Sequence, residues 1–243
     1  MTNPLRLLQL LKLLDLTRLT EADSQAEMAA WLNAIPTLPA PVAALCVYPE
    51  FLSQTSDYLA AAAKATELAT VVNFPGGDQS LAQVLADIAH CRALGATEID
   101  CVLPYSQLLA GNESEVSAFL SAVREASLGL GLKIIIESGE LLTAQQVTKA
   151  TELVIASGAD FVKTSTGKVP VGCTLEAARI ILTSIAAADR PVGFKASGGV
   201  KTVEQALQLL ELYEEITGLT ATRQGMRIGA SSLLTELLQQ LPR

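Results

Sequence analysis

Short apolar runs alternate along this chain with segments whose apolar residues recur at i, i+3, i+4 and i+7. The runs lie at residues 12–16 (KLLDL), 42–48 (VAALCVY), 69–74 (ATVVNF), 98–103 (EIDCVL), 133–138 (KIIIES), 160–165 (DFVKTS), 192–197 (VGFKAS) and 226–231 (MRIGAS). Their spacing is close to the about 30 residues of a βαβ unit. The later runs are rich in Val, Ile and Phe, as expected of parallel strands covered on both faces. Segments 80–95 and 202–218 carry the helical spacing, with Asp78, Ser80 and Thr202 as candidate caps or first-turn residues. Gly95 and Gly158 stand where a helix stops in the left-handed conformation.

Eight such units predict an α/β fold: a single (β/α)8 TIM barrel over residues 1–243, with an N-terminal helical extension. Alternation alone does not distinguish a closed barrel from a doubly wound sheet, although no G-x-G-x-x-G follows the first run. The Leu-rich first run also reads as the continuation of a preceding helix.

Composition narrows the chemistry. Of 243 residues, 50% are hydrophobic, enough to offset the ordering entropy of a folded domain. The 17 basic and 25 acidic residues give a net charge of −8, so no nucleic-acid partner is expected and any anion must be held locally. The single histidine, His90, falls in a helical segment, which removes His-built zinc sites and Ser-His-Asp hydrolases. Cys46, Cys91, Cys101 and Cys173 show no C-x-x-C spacing, as in a reduced cytoplasmic protein. Residues 28–48 are uncharged but interrupted by Pro36, Pro39 and Pro41, and the N-terminal apolar run has a basic residue inside it. Neither a membrane span nor a signal peptide is expected.

In a barrel the C-terminal strand ends form the site. The polar residues at those ends are Asp15, Cys46, Asn73, Asp100, Glu137, Lys163, Lys195 and the GASS segment, Gly229–Ser232. Lys163 and Lys195 stand inside otherwise apolar runs, where an ammonium is costly unless paired or neutralised. Each is either a structural ion-pair partner or part of an amine nucleophile activated by desolvation and a neighbouring cation. Three glycine-bearing segments, TSTGK (Thr164–Lys168), SGGVK (Ser197–Lys201) and GASS, follow the last three runs. Their backbone N–H groups suit an oxyanion, and barrels frequently hold phosphate in the loops after strands seven and eight.

With EIDCVLPY around Asp100, IIIESGEL around Glu137, DFVKTSTGK around Lys163 and VGFKASGGVKT around Lys195, the chain resembles the deoxyribose-phosphate aldolases. The likeness to these class I, Schiff-base enzymes runs from the DLT at Asp15 to GASS. It implies reversible cleavage of 2-deoxy-D-ribose 5-phosphate to acetaldehyde and D-glyceraldehyde 3-phosphate, without metal or cofactor. By the family's motifs, Lys163 forms the Schiff base, Lys195 is its cationic neighbour and Asp100 relays protons. Asp15 is the site carboxylate that pairs with the lysines. Thr166, Gly167, Lys168, Gly198, Gly199, Gly229, Ser231 and Ser232 match the substrate- and phosphate-contacting segments. Glu137 is a candidate charge partner behind them. Lys201 stands where many relatives have Arg after GGV, keeping the charge but losing the bidentate fork. The sequence closes on Leu241-Pro242-Arg243 rather than on the longer tyrosine-ended tail of some relatives, so water or another side chain is expected in its place.

Expected partners are small sugar phosphates and aldehydes, with no membrane; a homodimer is left open. Two other readings stay open on the sequence. One is another Schiff-base aldolase, transaldolase-like, acting on a longer sugar. The other is a sugar-phosphate-binding barrel without turnover, against which stand the charges retained at Lys163, Lys195 and Asp100.

Overall fold

A computed structural model describes residues 3–62 and 65–241; Pro242 and Arg243, at the end discussed above, lie outside the described residues. Among the described residues, eight strands close into a parallel barrel in chain order. They are β1 (Leu14–Arg18), β2 (Ala44–Val47), β3 (Glu67–Val72), β4 (Glu98–Val102), β5 (Gly131–Ile135), β6 (Phe161–Lys163), β7 (Gly193–Ser197) and β8 (Met226–Ala230). The helices are α1 (Pro4–Leu13), α2 (Gln25–Ala34), α3 (Leu52–Ala61), α4 (Leu81–Ala93), α5 (Tyr105–Leu109), α6 (Glu113–Ala126), α7 (Ala144–Ala156), α8 (Leu175–Ala186), α9 (Val203–Thr217) and α10 (Leu233–Gln240). This is the (β/α)8 TIM barrel, and the doubly wound alternative is excluded because β1 pairs with both β2 and β8.

Every expected run supplies a strand, with shifted ends. Lys12 and Leu13 stay in α1, because Leu7, Leu10, Leu11 and Leu13 are buried at helical spacing against the barrel wall. Strand β1 therefore starts at Leu14, and Asp15 lies one residue inside it rather than at its end. The fifth run ends early as a strand: Glu137 takes φ 51, a left-handed conformation that leaves the extended ladder. Ser80 caps α4 through Gln83 and Thr202 caps α9 through Gln205, whereas Asp78 caps nothing. Gly95 and Gly158 adopt φ 92 and 83 just past α4 and α7, and His90 is exposed on α4.

The main apolar core lies between sheet and helices, with α1 packed beside α9 and α10. Inside the barrel the wall is uneven. On β2 and β3 the inward residues are small and apolar: Ala44, Cys46, Ala69 and Val71. The other strands send long charged side chains into that space. Glycines make the room. A Cβ on Gly131 would lie 3.1 Å from Glu98 Cγ, one on Gly229 3.1 Å from Lys195 Cε, and one on Gly193 only 2.2 Å from the Phe161 ring. Among the described residues no helix is long and apolar enough to cross a membrane.

Candidate active site

Parallel register sets the height of each site residue. Lys163 on β6 pairs with Lys195 on β7, and Asp100 on β4 pairs with Lys133 on β5. Side chains alternate along a strand, so these residues face the barrel axis while their neighbours face the helices. Lys163 and Lys195 converge on one carboxylate oxygen: each Nζ lies 2.7 Å from Asp100 Oδ2. The second oxygen of Asp100 accepts from Lys133 at 2.9 Å. Asp15 holds Lys195 at 2.6 Å and Arg227 at 2.7 Å.

These groups are buried, and burial pushes each toward its neutral form. The carboxylates resist that push. Lys133, Lys163 and Lys195 together hold Asp100 well below the usual carboxylate range, and Lys195, Arg227 and Lys133 do the same for Asp15. Against its burial, Asp100 and Asp15 hold Lys195 above an ordinary lysine, so it stays an ammonium. Lys163 ends differently. Burial lowers its pKa, Asp100 opposes, and the Lys195 ammonium adds to the fall. One lysine is fixed as a cation and its neighbour is released toward the free amine. The Cys46 thiol beside them is pushed up by burial and stays protonated.

Above Lys163 a cavity of about 550 Å³ opens at the C-terminal end of the barrel. Of the residues expected from the sequence, Thr166, Gly167, Lys168, Gly198, Gly199, Gly229, Ser231 and Ser232 line it with Lys163. Asp15, Asp100 and Lys195 do not line it; they lie beneath its floor, with Asp100 bonded to Lys163 from below. Gly167, Gly198 and Gly199 take φ 79, 79 and 84, which bring the loops after β6 and β7 together; a Cβ on Gly198 would lie 3.1 Å from Gly172 Cα. The N–H groups of Gly167, Gly199, Ser231 and Ser232 have no protein acceptor among the described residues, and the last two open α10. Such donors at a helix N-terminus suit a phosphate.

Two site lysines behave unlike each other. Lys168 Nζ is taken up by Glu21 and the Leu19 carbonyl, both at 3.0 Å, and lies over the Tyr48 ring. Lys201 also lines the cavity but is exposed and pairs with no carboxylate among the described residues, making it a freer cation for an anion. Thr166 is occupied too: its hydroxyl donates to Glu137 at 2.5 Å and its N–H at 3.2 Å, so Glu137 braces the loop. Burial raises the Glu137 pKa, with the Thr166 bonds pulling against it.

A larger cavity, about 890 Å³, opens at the opposite end, lined by Glu67, Asp160, Arg190 and Arg223. Phe161, Glu98 and Arg227 also line it, but no lysine does. The smaller cavity is the candidate active site because it alone reaches the activated amine. The sequence reading missed Glu98, Lys133 and Arg227, which complete the buried charge cluster. Each stands in or at the edge of an apolar run, the signal that exposed Lys163 and Lys195.

A family model described as DeoC/LacD family aldolase matches residues 10–235. A deoxyribose-phosphate aldolase of Agrobacterium fabrum is 43% identical over 235 residues, covering 95% of this chain and 90% of the relative. The solved aldolase QR15 superimposes with a TM-score of 0.81 at 28% identity, covering 95% of this chain and 96% of that one. At 22% identity the deoxyribose phosphate aldolase of Aeropyrum pernix, described as tetrameric, shares the fold, with a TM-score of 0.75 over 99% of this chain and 94% of its own. With the family model spanning nearly all of the barrel, and the amine and the anion-facing loops on one cavity above the buried carboxylate, the chain belongs to the DeoC/LacD aldolase family.

Proposed function

We propose that this aldolase reversibly cleaves 2-deoxy-D-ribose 5-phosphate to acetaldehyde and D-glyceraldehyde 3-phosphate through a Schiff base on Lys163. The observation that carries the reading is the shared oxygen, with both lysine amines 2.7 Å from Asp100 Oδ2 under a polar cavity of about 550 Å³. The identity to the Agrobacterium fabrum enzyme supports the choice of substrate.

The chemistry follows from the lysine's state. An ordinary lysine of pKa ≈ 10.4 is neutral in only about 1 in 2,500 molecules at pH 7. Lys163, lowered by burial and by Lys195, supplies more of the free amine. That amine adds to C1 of the open-chain sugar, and loss of water leaves a protonated imine. As the 3-hydroxyl gives up its proton, the C2–C3 bond breaks and its electrons pass into the imine, forming an enamine. D-Glyceraldehyde 3-phosphate departs; protonation at C2 and hydrolysis then free acetaldehyde and restore the amine. Asp100 is the group that exchanges protons with Lys163, and Lys195, held on the same oxygen, stays the neighbouring cation. At the other end of the sugar, the Gly167, Gly199, Ser231 and Ser232 amides and Lys201 are the donors for its phosphate. The four cysteines are free thiols, in keeping with the cytoplasm as its location.

Release of acetaldehyde from 2-deoxy-D-ribose 5-phosphate, followed with a coupled alcohol dehydrogenase, tests the proposal. Steady turnover is expected. Binding without aldehyde release, or turnover only of longer ketose phosphates, would refute it.

A further inference from the structure

The buried charges form a closed ring. From Arg227 it runs to Asp15 (2.7 Å), Lys195 (2.6 Å), Asp100 (2.7 Å), Lys133 (2.9 Å), Glu98 (2.5 Å) and back to Arg227 (2.7 Å). Charges alternate around it, three cations and three carboxylates, contributed by β1, β4, β5, β7 and β8. Lys163 hangs outside the ring on Asp100. It is therefore the seventh charged group and has no carboxylate of its own.

We propose that Glu98 and Arg227, which lie toward the opposite end of the barrel on the wall of the larger cavity and do not touch Lys163, are positioning residues for the reaction: by completing a charge-balanced ring they make Lys163 the supernumerary cation, the one that gives up its proton. A buried set with unequal charges is costly, and the cheapest relief is loss of a proton from the unmatched member. Arginine holds its proton under all ordinary conditions, so Arg227 fixes one cation of the ring permanently. Lys195 bridges two carboxylates and Lys133 bridges Glu98 and Asp100, whereas Lys163 shares a single oxygen with Lys195. The other titratable groups facing Lys163 are the neutral Cys46 thiol on β2 and Glu137 after β5; β3 sets Ala69 and Val71 on the inward face, and its Glu67, at the far end, is paired with Arg223. The directions found for Lys195, Lys133 and Lys163 agree with the count.

The proposal rests on Lys163 as the Schiff-base residue, and one assay separates the two claims. Acetaldehyde-dependent capture by borohydride is followed against pH, with the modified residue located by mass spectrometry. Wild-type capture at Lys163 supports the functional reading whatever the variants do. Arg227→Met leaves three carboxylates for Lys133, Lys195 and Lys163, so Lys163 should keep its proton and the acidic limb of capture should move up by about one pH unit. Glu98→Gln should move it down by a similar amount. The double variant Glu98→Gln/Arg227→Met removes one charge of each sign, and its limb should return to the wild-type position. Arg227→Lys keeps the count and should leave the limb in place. Folding of each variant is checked by circular dichroism, and where a single variant does not fold the double variant and Arg227→Lys carry the test. Limbs that stay put in the single variants, or a double variant displaced further than either, overturn the proposal.

Discussion

Lys163 and Lys195 donate to the same oxygen of Asp100, each at 2.7 Å, and reach it from adjacent strands at the same height in the barrel. Two ammonium groups sharing one acceptor is a poor arrangement for both to remain charged. Asp15 breaks the tie, because it lies 2.6 Å from Lys195 and is not paired with Lys163.

Replacing Asp100 tests the carboxylate. Asp100→Asn keeps the shape but removes both the charge and the proton exchange. We expect kcat to fall by about 10²–10⁴-fold, the usual range for losing a positioned acid–base group. Steady-state kinetics on 2-deoxy-D-ribose 5-phosphate measures it. A loss confined to KM would show that Asp100 only supports the lysines.

Lys195→Leu removes the ammonium that helps to neutralise Lys163. The sign is fixed by the direction of the shift: Lys163 lies below an ordinary lysine, and removing a cation lets it rise. The active free amine then requires higher pH, so the acidic limb of kcat/KM should move up by about 1–3 units. Leucine also dries the pocket, which pulls the other way, but the charge contribution is larger because Asp15 and Asp100 are left short of a partner. Breaking such a buried pair should also cost about 3–5 kcal/mol of stability, read by denaturant unfolding. An unmoved limb with a large drop in kcat would leave Lys195 only a relay role.

The strands were legible because parallel strands covered on both faces read as apolar runs, and Lys163 and Lys195 because charges interrupt those runs. The rest of the buried cluster was hidden by position. Glu98 and Lys133 open their runs, where a charge reads as the edge of a loop, and only the register turns them into the barrel. The depth of Asp15 depends on where α1 stops, which a leucine-rich segment does not declare. The pairing of Lys168 with Glu21 spans 147 residues and leaves no local trace.

Ser232 begins α10 at the cavity rim, where a bound phosphate would face the helix N-terminus. Ser232→Asp places a negative charge there. We expect kcat/KM for the phosphorylated sugar to fall by about 10- to 1,000-fold, or about 1.4–4 kcal/mol, with much less effect on 2-deoxyribose. Equal losses on both substrates would remove the GASS segment from phosphate binding.

Glu137 has a different task from the ring carboxylates. It accepts the Thr166 hydroxyl and N–H and so fixes the loop that carries Gly167. Glu137→Ala should loosen that loop and raise KM for the phosphorylated sugar about tenfold, equal to about 1.4 kcal/mol, with a smaller change in kcat. A change in kcat alone would place Glu137 in the chemistry instead.

The most direct measurement is covalent capture of the intermediate. Borohydride added with acetaldehyde reduces the imine and leaves a two-carbon adduct on the lysine that formed it. Peptide mass spectrometry should find that adduct at Lys163 and nowhere else, and Lys163→Arg should abolish both the adduct and turnover. An adduct at Lys195 with Lys163 unmodified would contradict the assignment of the free amine to Lys163.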